Sequence, residues 1–145
     1  MLGINICSAI EELNKSNVLH RDIKPGNIFV NNSGIFQLGD FGIARHVRET
    51  TDITRIGTHG YIDPEVLLGH GVGTNNKVDM YALGMVLYEL LNLNDLPKNK
   101  FDILPPKDGS PSLKKTVLKA CAFRPEDRFV DINQMKSELI SIITN

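Results

Sequence analysis

Four side chains near the start of the chain could share one reaction. Asp22, Lys24 and Asn27 lie in the run His20-Arg21-Asp22-Ile23-Lys24-Pro25-Gly26-Asn27, and Asp40 opens Asp40-Phe41-Gly42. A carboxylate at Asp22 can accept the proton of an incoming hydroxyl. An ammonium two residues on, at Lys24, can rest on a phosphate in transfer. Asn27 offers a neutral oxygen and Asp40 a charged one, hard ligands of the kind that suit Mg²⁺. Together they can hold a hydroxyl, a phosphate and a metal ion in one place, which is what a reaction governed by positioning requires.

The elements that must hold them are legible in the flanking pattern. Ile28-Phe29-Val30 and Ile35-Phe36-Gln37-Leu38 are β-prone, and Asn31-Asn32-Ser33-Gly34 between them is turn chemistry. The pattern predicts a small hairpin that fixes the separation of the Asp22 and Asp40 loops. Upstream, Leu2, Ile6, Ala9, Ile10 and Leu13 recur at helical spacing and predict an amphipathic helix over 2–14, ended by Ser16-Asn17. Val78–Leu91 is apolar nearly all round, the mark of a buried central helix. Asp79 inside it must therefore find hydrogen-bond partners. Asp63-Pro64 and Ser110-Pro111 read as caps opening helices, and Asp131 with Gln134 as a capping box before a last helix carrying Ile132, Met135, Leu139 and Ile142. Residues 43–62 are polar and Thr-rich, a long stretch of the kind that is usually functional or mobile. Gly69, Gly71 and Gly73 follow no strand, so they are read as a flexible loop and not as a phosphate cradle.

Composition narrows the function classes. A chain of 145 residues, 41% hydrophobic and 23% charged, is sized for one globular domain. Its net charge of -1 gives no pull toward nucleic acid, and without Trp and with few Tyr and Phe it lacks base-stacking platforms. Residues 1–9 lack a basic lead-in and are followed by Glu11-Glu12, so no signal peptide is expected, and no apolar run is long enough for a membrane segment. Cys7 and Cys121 sit in apolar helical patterns and are expected as buried small hydrophobes. A reducing, cytoplasmic setting is the default. His46, His59 and His70 show no ligand spacing, so no zinc site is expected.

In one order, the chain carries H-R-D-x-K-x-x-N, D-F-G, Gly57-Thr58-His59-Gly60-Tyr61-Ile62-Asp63-Pro64-Glu65, Asp79-Met80-Tyr81-Ala82-Leu83-Gly84 and Arg124-Pro125-Glu126-Asp127-Arg128-Phe129. This series resembles the eukaryotic-type serine/threonine protein kinase family along essentially all 145 residues. Ile28-Phe29-Val30 and Leu38 to Arg45 look most like its bacterial members. The resemblance implies an α+β protein-kinase-like fold, here a mainly helical C-lobe with a small β-hairpin. It also implies Mg-ATP-dependent transfer of a phosphoryl group to Ser/Thr hydroxyls of a protein substrate. Asp22 would be the proton acceptor, Lys24 the phosphate contact, and Asn27 and Asp40 the Mg²⁺ ligands. His20 would pack under Phe41, and Asp79 would hold the catalytic-loop backbone. Arg21 would meet a phosphorylated activation-loop residue. Thr50, Thr51 and Thr54 are candidates for that phosphate, or else ordinary polar loop residues. Thr58 would touch Asp22 and Lys24 in substrate selection. Arg128 would pair with Glu65. The family usually has Ala where this chain has Asp63.

The family's Gly-rich loop, strand Lys and helix Glu have no counterpart before residue 20. The resemblance therefore implies that residues 1–145 are a partial catalytic domain, the C-terminal lobe with the N-lobe absent. Three readings stay open: a portion of an active kinase, a catalytically silent fragment or pseudokinase-like interaction module, and half of a split kinase completed by a separate N-lobe. Substrate choice is expected to lie around residues 55–75 and 92–111.

Overall fold

The structure, a computed structural model, describes residues 1–42, 45–46 (main chain only), 58–69 and 76–144. Thr50, Thr51 and Thr54 lie outside the described residues, as does most of the Gly69–Gly73 loop.

The chain opens with α1, Leu2–Lys15, whose inward face is Gly3, Ile6, Cys7 and Ile10. It ends where Asn17 turns into the left-handed region at φ 54, a conformation Asn tolerates better than most residues. Strand β1, Val18–Leu19, leads into the Asp22 loop, which closes with a 3-10 turn at Pro25–Asn27. Strands β2, Ile28–Val30, and β3, Phe36–Leu38, form the expected antiparallel hairpin, with Ile28 opposite Leu38 and Val30 opposite Phe36. Its turn is built by Asn31, whose Oδ1 accepts the amides of Ser33 and Ile35 at 2.9 and 3.0 Å, while Gly34 supplies φ 75. Asn5 of α1 secures the hairpin by accepting the Phe36 amide at 3.2 Å. Strand β4, Arg45–His46, then returns to pair antiparallel with β1. Nothing in the sequence pattern announced that pairing.

The remaining elements are helical: α2, Pro64–Leu67; α3, Lys77–Leu91; α4, Pro111–Ala120; and α5, Ile132–Thr144. The caps follow expectation at α2, where Asp63 accepts the Glu65 amide, and at α4, where Ser110 accepts that of Leu113. At α5 the reciprocal box is displaced by one residue. Asp131 accepts the Gln134 amide at 2.8 Å, but Gln134 Oε1 turns back to the amide of Val130, also at 2.8 Å.

Helix α3 runs through the middle and explains its own sequence. One side sends Met80, Leu83 and Val86 into a cluster with Ile6, Ile10, Met135 and Leu139 of α1 and α5. The other sends Tyr81, Met85 and Tyr88 against Val117 and Cys121 at α4. Each such side chain taken from water contributes about 1.5–3 kcal/mol. Gly84 marks the closest approach of α3 to α4. A Cβ there would stand 2.8 Å from Cys121 Sγ and 2.9 Å from Ala120 Cβ. Cys7 and Cys121 are both buried, as expected. Among the described residues no helix is long and apolar enough to cross a membrane.

Candidate active site

Asp79, fully buried near the start of α3, organises the loop above it. Its Oδ2 accepts the His20 amide at 2.8 Å and its Oδ1 the Arg21 amide at 2.9 Å. Full burial pushes its carboxyl up, against the pull of those two amides and of the His20 and Arg21 side chains. The anchorage matters because Arg21 sits at φ 68, a conformation L-residues hold only when their surroundings impose it. The next residue after this bend is Asp22, whose side chain stays 15% exposed.

His20 joins the two halves of the site. Its Nδ1 accepts the Asp22 amide at 3.3 Å, so its proton belongs on Nε2, which lies 2.9 Å from the Gly39 carbonyl. The ring also meets Phe41 edge-on, with centroids 5.0 Å apart. His20 therefore spans from the residue before Asp40 to the backbone of Asp22. The main chain reinforces the link, since Gly39 N–H donates to Asn27 O at 2.9 Å. Asp40 itself is exposed, at φ 55, with its Oδ1 accepting the Gly42 amide.

Both Asp22 oxygens are gripped. Oδ1 accepts the Thr58 amide and hydroxyl, each at 3.0 Å. Oδ2 accepts Asn27 Nδ2 at 3.0 Å and lies 3.0 Å from Lys24 Nζ. Lys24 Nζ also reaches Thr58 Oγ1 at 2.6 Å. Asn27 Nδ2 makes a second bond, to Asp22 O at 2.8 Å. Burial alone would raise the Asp22 carboxyl. The hydrogen bonds from Lys24 and Thr58 and the charge on Lys24 outweigh it and hold the group below its ordinary value.

The structure thus brings Asp22, Lys24, Asn27 and Thr58 into direct contact and ties Asp40 to them through Gly39, His20 and Phe41. With the Asn27 amide nitrogen committed to Asp22, its carbonyl oxygen is the end left to a metal, and Asp40 adds an exposed carboxylate. Two such oxygens fit Mg²⁺, which takes few protein ligands and completes its shell with water and phosphate. They fall short of an all-protein cage, and the described residues hold no cluster of three or more His, Cys, Asp or Glu able to bind a metal.

The Arg128 expectation needs correcting. Its guanidinium is fully buried and pairs with Asp63, through Nη1 to Oδ2 and through Nη2 to Oδ1 at 3.0 Å. Its other N–H groups go to the carbonyls of Ala122, Phe123 and Lys77. The carboxylate that takes Arg128 is therefore Asp63, two residues before Glu65. Asp63 is the shorter acid and the N-cap of α2, so it already faces inward where the guanidinium arrives.

Sequence reasoning also missed Lys100, in the connection between α3 and α4. Its Nζ donates to the carbonyls of His59 and Ile62 at 3.0 and 3.1 Å. His59 opens the 3-10 turn His59–Tyr61 and Ile62 follows it, and Tyr61 donates its hydroxyl to Glu89 Oε2 at 2.6 Å. A lone Lys in a Pro- and Asn-rich loop carries no periodic signal that would single it out.

A family model described as Protein kinase domain matches residues 2–143. Serine/threonine-protein kinase PknB of Mycobacterium leprae is 34% identical over 155 residues, an alignment covering 94% of this chain and 25% of that protein. Serine/threonine-protein kinase Nek1 of Mus musculus is 47% identical over 92 residues, covering 62% of this chain and 8% of that protein. Serine/threonine-protein kinase Pkn1 of Myxococcus xanthus is 32% identical over 157 residues, covering 92% and 22%. The chain spans about a quarter or less of the length of these curated relatives.

Proposed function

The chain belongs to the protein kinase domain family, and from that premise we propose that residues 1–145 are the C-terminal-lobe portion of a serine/threonine protein kinase catalytic domain. In this reading it takes part in Mg-ATP-dependent phosphoryl transfer to a Ser or Thr hydroxyl of a protein substrate. The observation that carries the reading is the grip on Asp22 by Lys24, Asn27 and Thr58.

The roles follow from that geometry. Asp22 is kept ionised by its donors through neutral and mildly acid pH, and loses its charge only as pH falls through its lowered pKa. An acceptor hydroxyl takes over a lone pair now held by Thr58 or Lys24 and is aligned by the carboxylate. Asn27 holds Asp22 from behind with its amide nitrogen. Lys24, half-exposed and bridging Asp22 to Thr58, is the cation free to lean toward a phosphate. Asn27 and Asp40 would hold Mg²⁺, and bound Mg-ATP would supply the phosphoryl group and the charge that neutralises it. Arg21 and Thr50, Thr51 or Thr54 would form a phosphate-dependent switch, in which added charge of about -1.5 to -2 meets the Arg21 guanidinium.

A second reading, a half-kinase completed by a separate N-lobe, is favoured by one observation. Phe29, Val30, Ile35 and Phe41, on or beside the hairpin, are all exposed. The test of the principal reading is phosphate transfer from radiolabelled Mg-ATP to a generic protein substrate by the full-length natural protein. Asp22→Asn should lower kcat by about 100-fold or more. Transfer that survives the substitution would sink the assignment of Asp22.

A further inference from the structure

The connection from α3 to α4, residues 92–110, has no helix or strand of its own. Connections of this length without secondary structure are uncommon in compact domains unless they have a task. Here it folds back onto the segment 58–63. That segment begins at Thr58, on Asp22, and ends at Asp63, on Arg128.

Two side chains make the contact. Leu96 lies over Gly60 so closely that a Cβ there would come within 2.5 Å of its Cδ1. Lys100 supplies two hydrogen bonds, to the carbonyl of His59 at the start of the 3-10 turn and to that of Ile62 just after it. Its ammonium also stands 6.0 Å from the centre of the Tyr81 ring, whose face carries the Arg128 guanidinium at 4.8 Å. One buried ring of α3 thus underlies both anchors of the segment. Burial holds the Lys100 pKa below the ordinary lysine value, against the pull of Asp63 and Cys121. A partly buried cation that serves two main-chain carbonyls is a built contact, not a freely solvated surface lysine.

We propose that Lys100 is a positioning residue for the protein substrate: from the α3–α4 connection it clamps the 59–62 turn, and so sets the shape of the surface on which the residues beside the acceptor hydroxyl lie. This rests on the kinase reading above and adds to it a determinant outside the motifs. Lys100 touches neither the hydroxyl nor the phosphate. Its effect reaches the peptide through the backbone of residues 59–62, while Asp22 keeps Lys24 and Asn27 on its Oδ2 and its loop keeps Asp79 and His20; Thr58 is the Asp22 contact that adjoins the turn.

The test is Lys100→Met in the full-length natural protein, which keeps the length of the stem and removes the ammonium. KM for a peptide substrate should rise about tenfold. Both kcat and the KM for ATP should stay within about twofold. The Tyr61 amide, which donates to Thr58 O, should exchange with solvent about tenfold faster while the amides of α1 do not change. A lowered melting temperature with wild-type peptide KM overturns the proposal, as does a fall in kcat with KM unchanged. Leu96→Ala, on the same connection, carries the test if Lys100→Met does not fold; it should raise peptide KM in the same direction, and an unchanged KM overturns the clamp. If the wild-type protein shows no transfer that Asp22→Asn abolishes, the kinase reading fails on its own account. Tyr61 exchange then decides the clamp, with faster exchange in Lys100→Met supporting it and unchanged exchange overturning it.

Discussion

Asp63 caps α2 with Oδ1 and holds Arg128 with both oxygens, while Arg128 spends its remaining N–H groups on three carbonyls. The pair is buried on both sides. Each charge has the other as its direct ionic partner, and losing one strands the other. Arg128→Met should therefore destabilise the fold by about 3–5 kcal/mol. The double variant Asp63→Leu with Arg128→Met should recover much of that loss, because two apolar side chains leave no stranded charge. Urea denaturation of the two singles and the double gives the coupling directly, and additive losses would refute it. The sequence pointed to Arg128 as half of an ion pair, through its resemblance to a known motif, but misplaced the partner. Which of two acids two residues apart faces inward depends on the helix start between them, and a motif does not record that.

At the scale of elements, the legible parts were those with local causes. The periodicity of α1, the all-round apolarity of α3, the Asn-rich turn of the hairpin and the Asp63 and Ser110 caps each need only a few neighbouring residues. Strands β1 and β4 pair over two residues each across a wide sequence gap, and so short a ladder leaves no alternation to read. Lys100 is of the same kind, since its value comes from the carbonyls it happens to meet. Gly84 was legible as the end of the Asp79–Gly84 motif, and the packing gives it its meaning. Gly84→Ala would press a methyl group into Ala120 and Cys121, where the Ala120 backbone carbonyl carbon is itself only 3.2 Å away. Helices α3 and α4 would have to separate, at a cost of about 1–3 kcal/mol. Thermal unfolding should show the loss, and an unchanged midpoint would mean that the crossing is looser than its distances say.

At the scale of the whole molecule, the two core clusters share α3, so they should open together. Cys7 reports on one and Cys121 on the other. Burial pushes both thiols up to about 12, more than offsetting nearby Lys136 at Cys7 and Arg128 and Lys100 at Cys121. Neither is then a ready nucleophile near neutral pH. Peptide-resolved labelling with a thiol reagent should find both modified at one slow rate, set by global opening. Faster labelling of Cys121 would show α4 leaving alone. The packing of α1 against α5, with Leu139 over Gly3 and Lys136 on Glu11, has a further consequence during synthesis. Helix α1 leaves the ribosome with its apolar face bare and waits for a partner encoded more than a hundred residues later. At ~5–20 residues per second that wait lasts roughly 5–25 s. Through that interval the nascent chain offers Ile6 and Ile10 to whatever binds exposed apolar helices, so a folding helper at the ribosome has a clear target in α1.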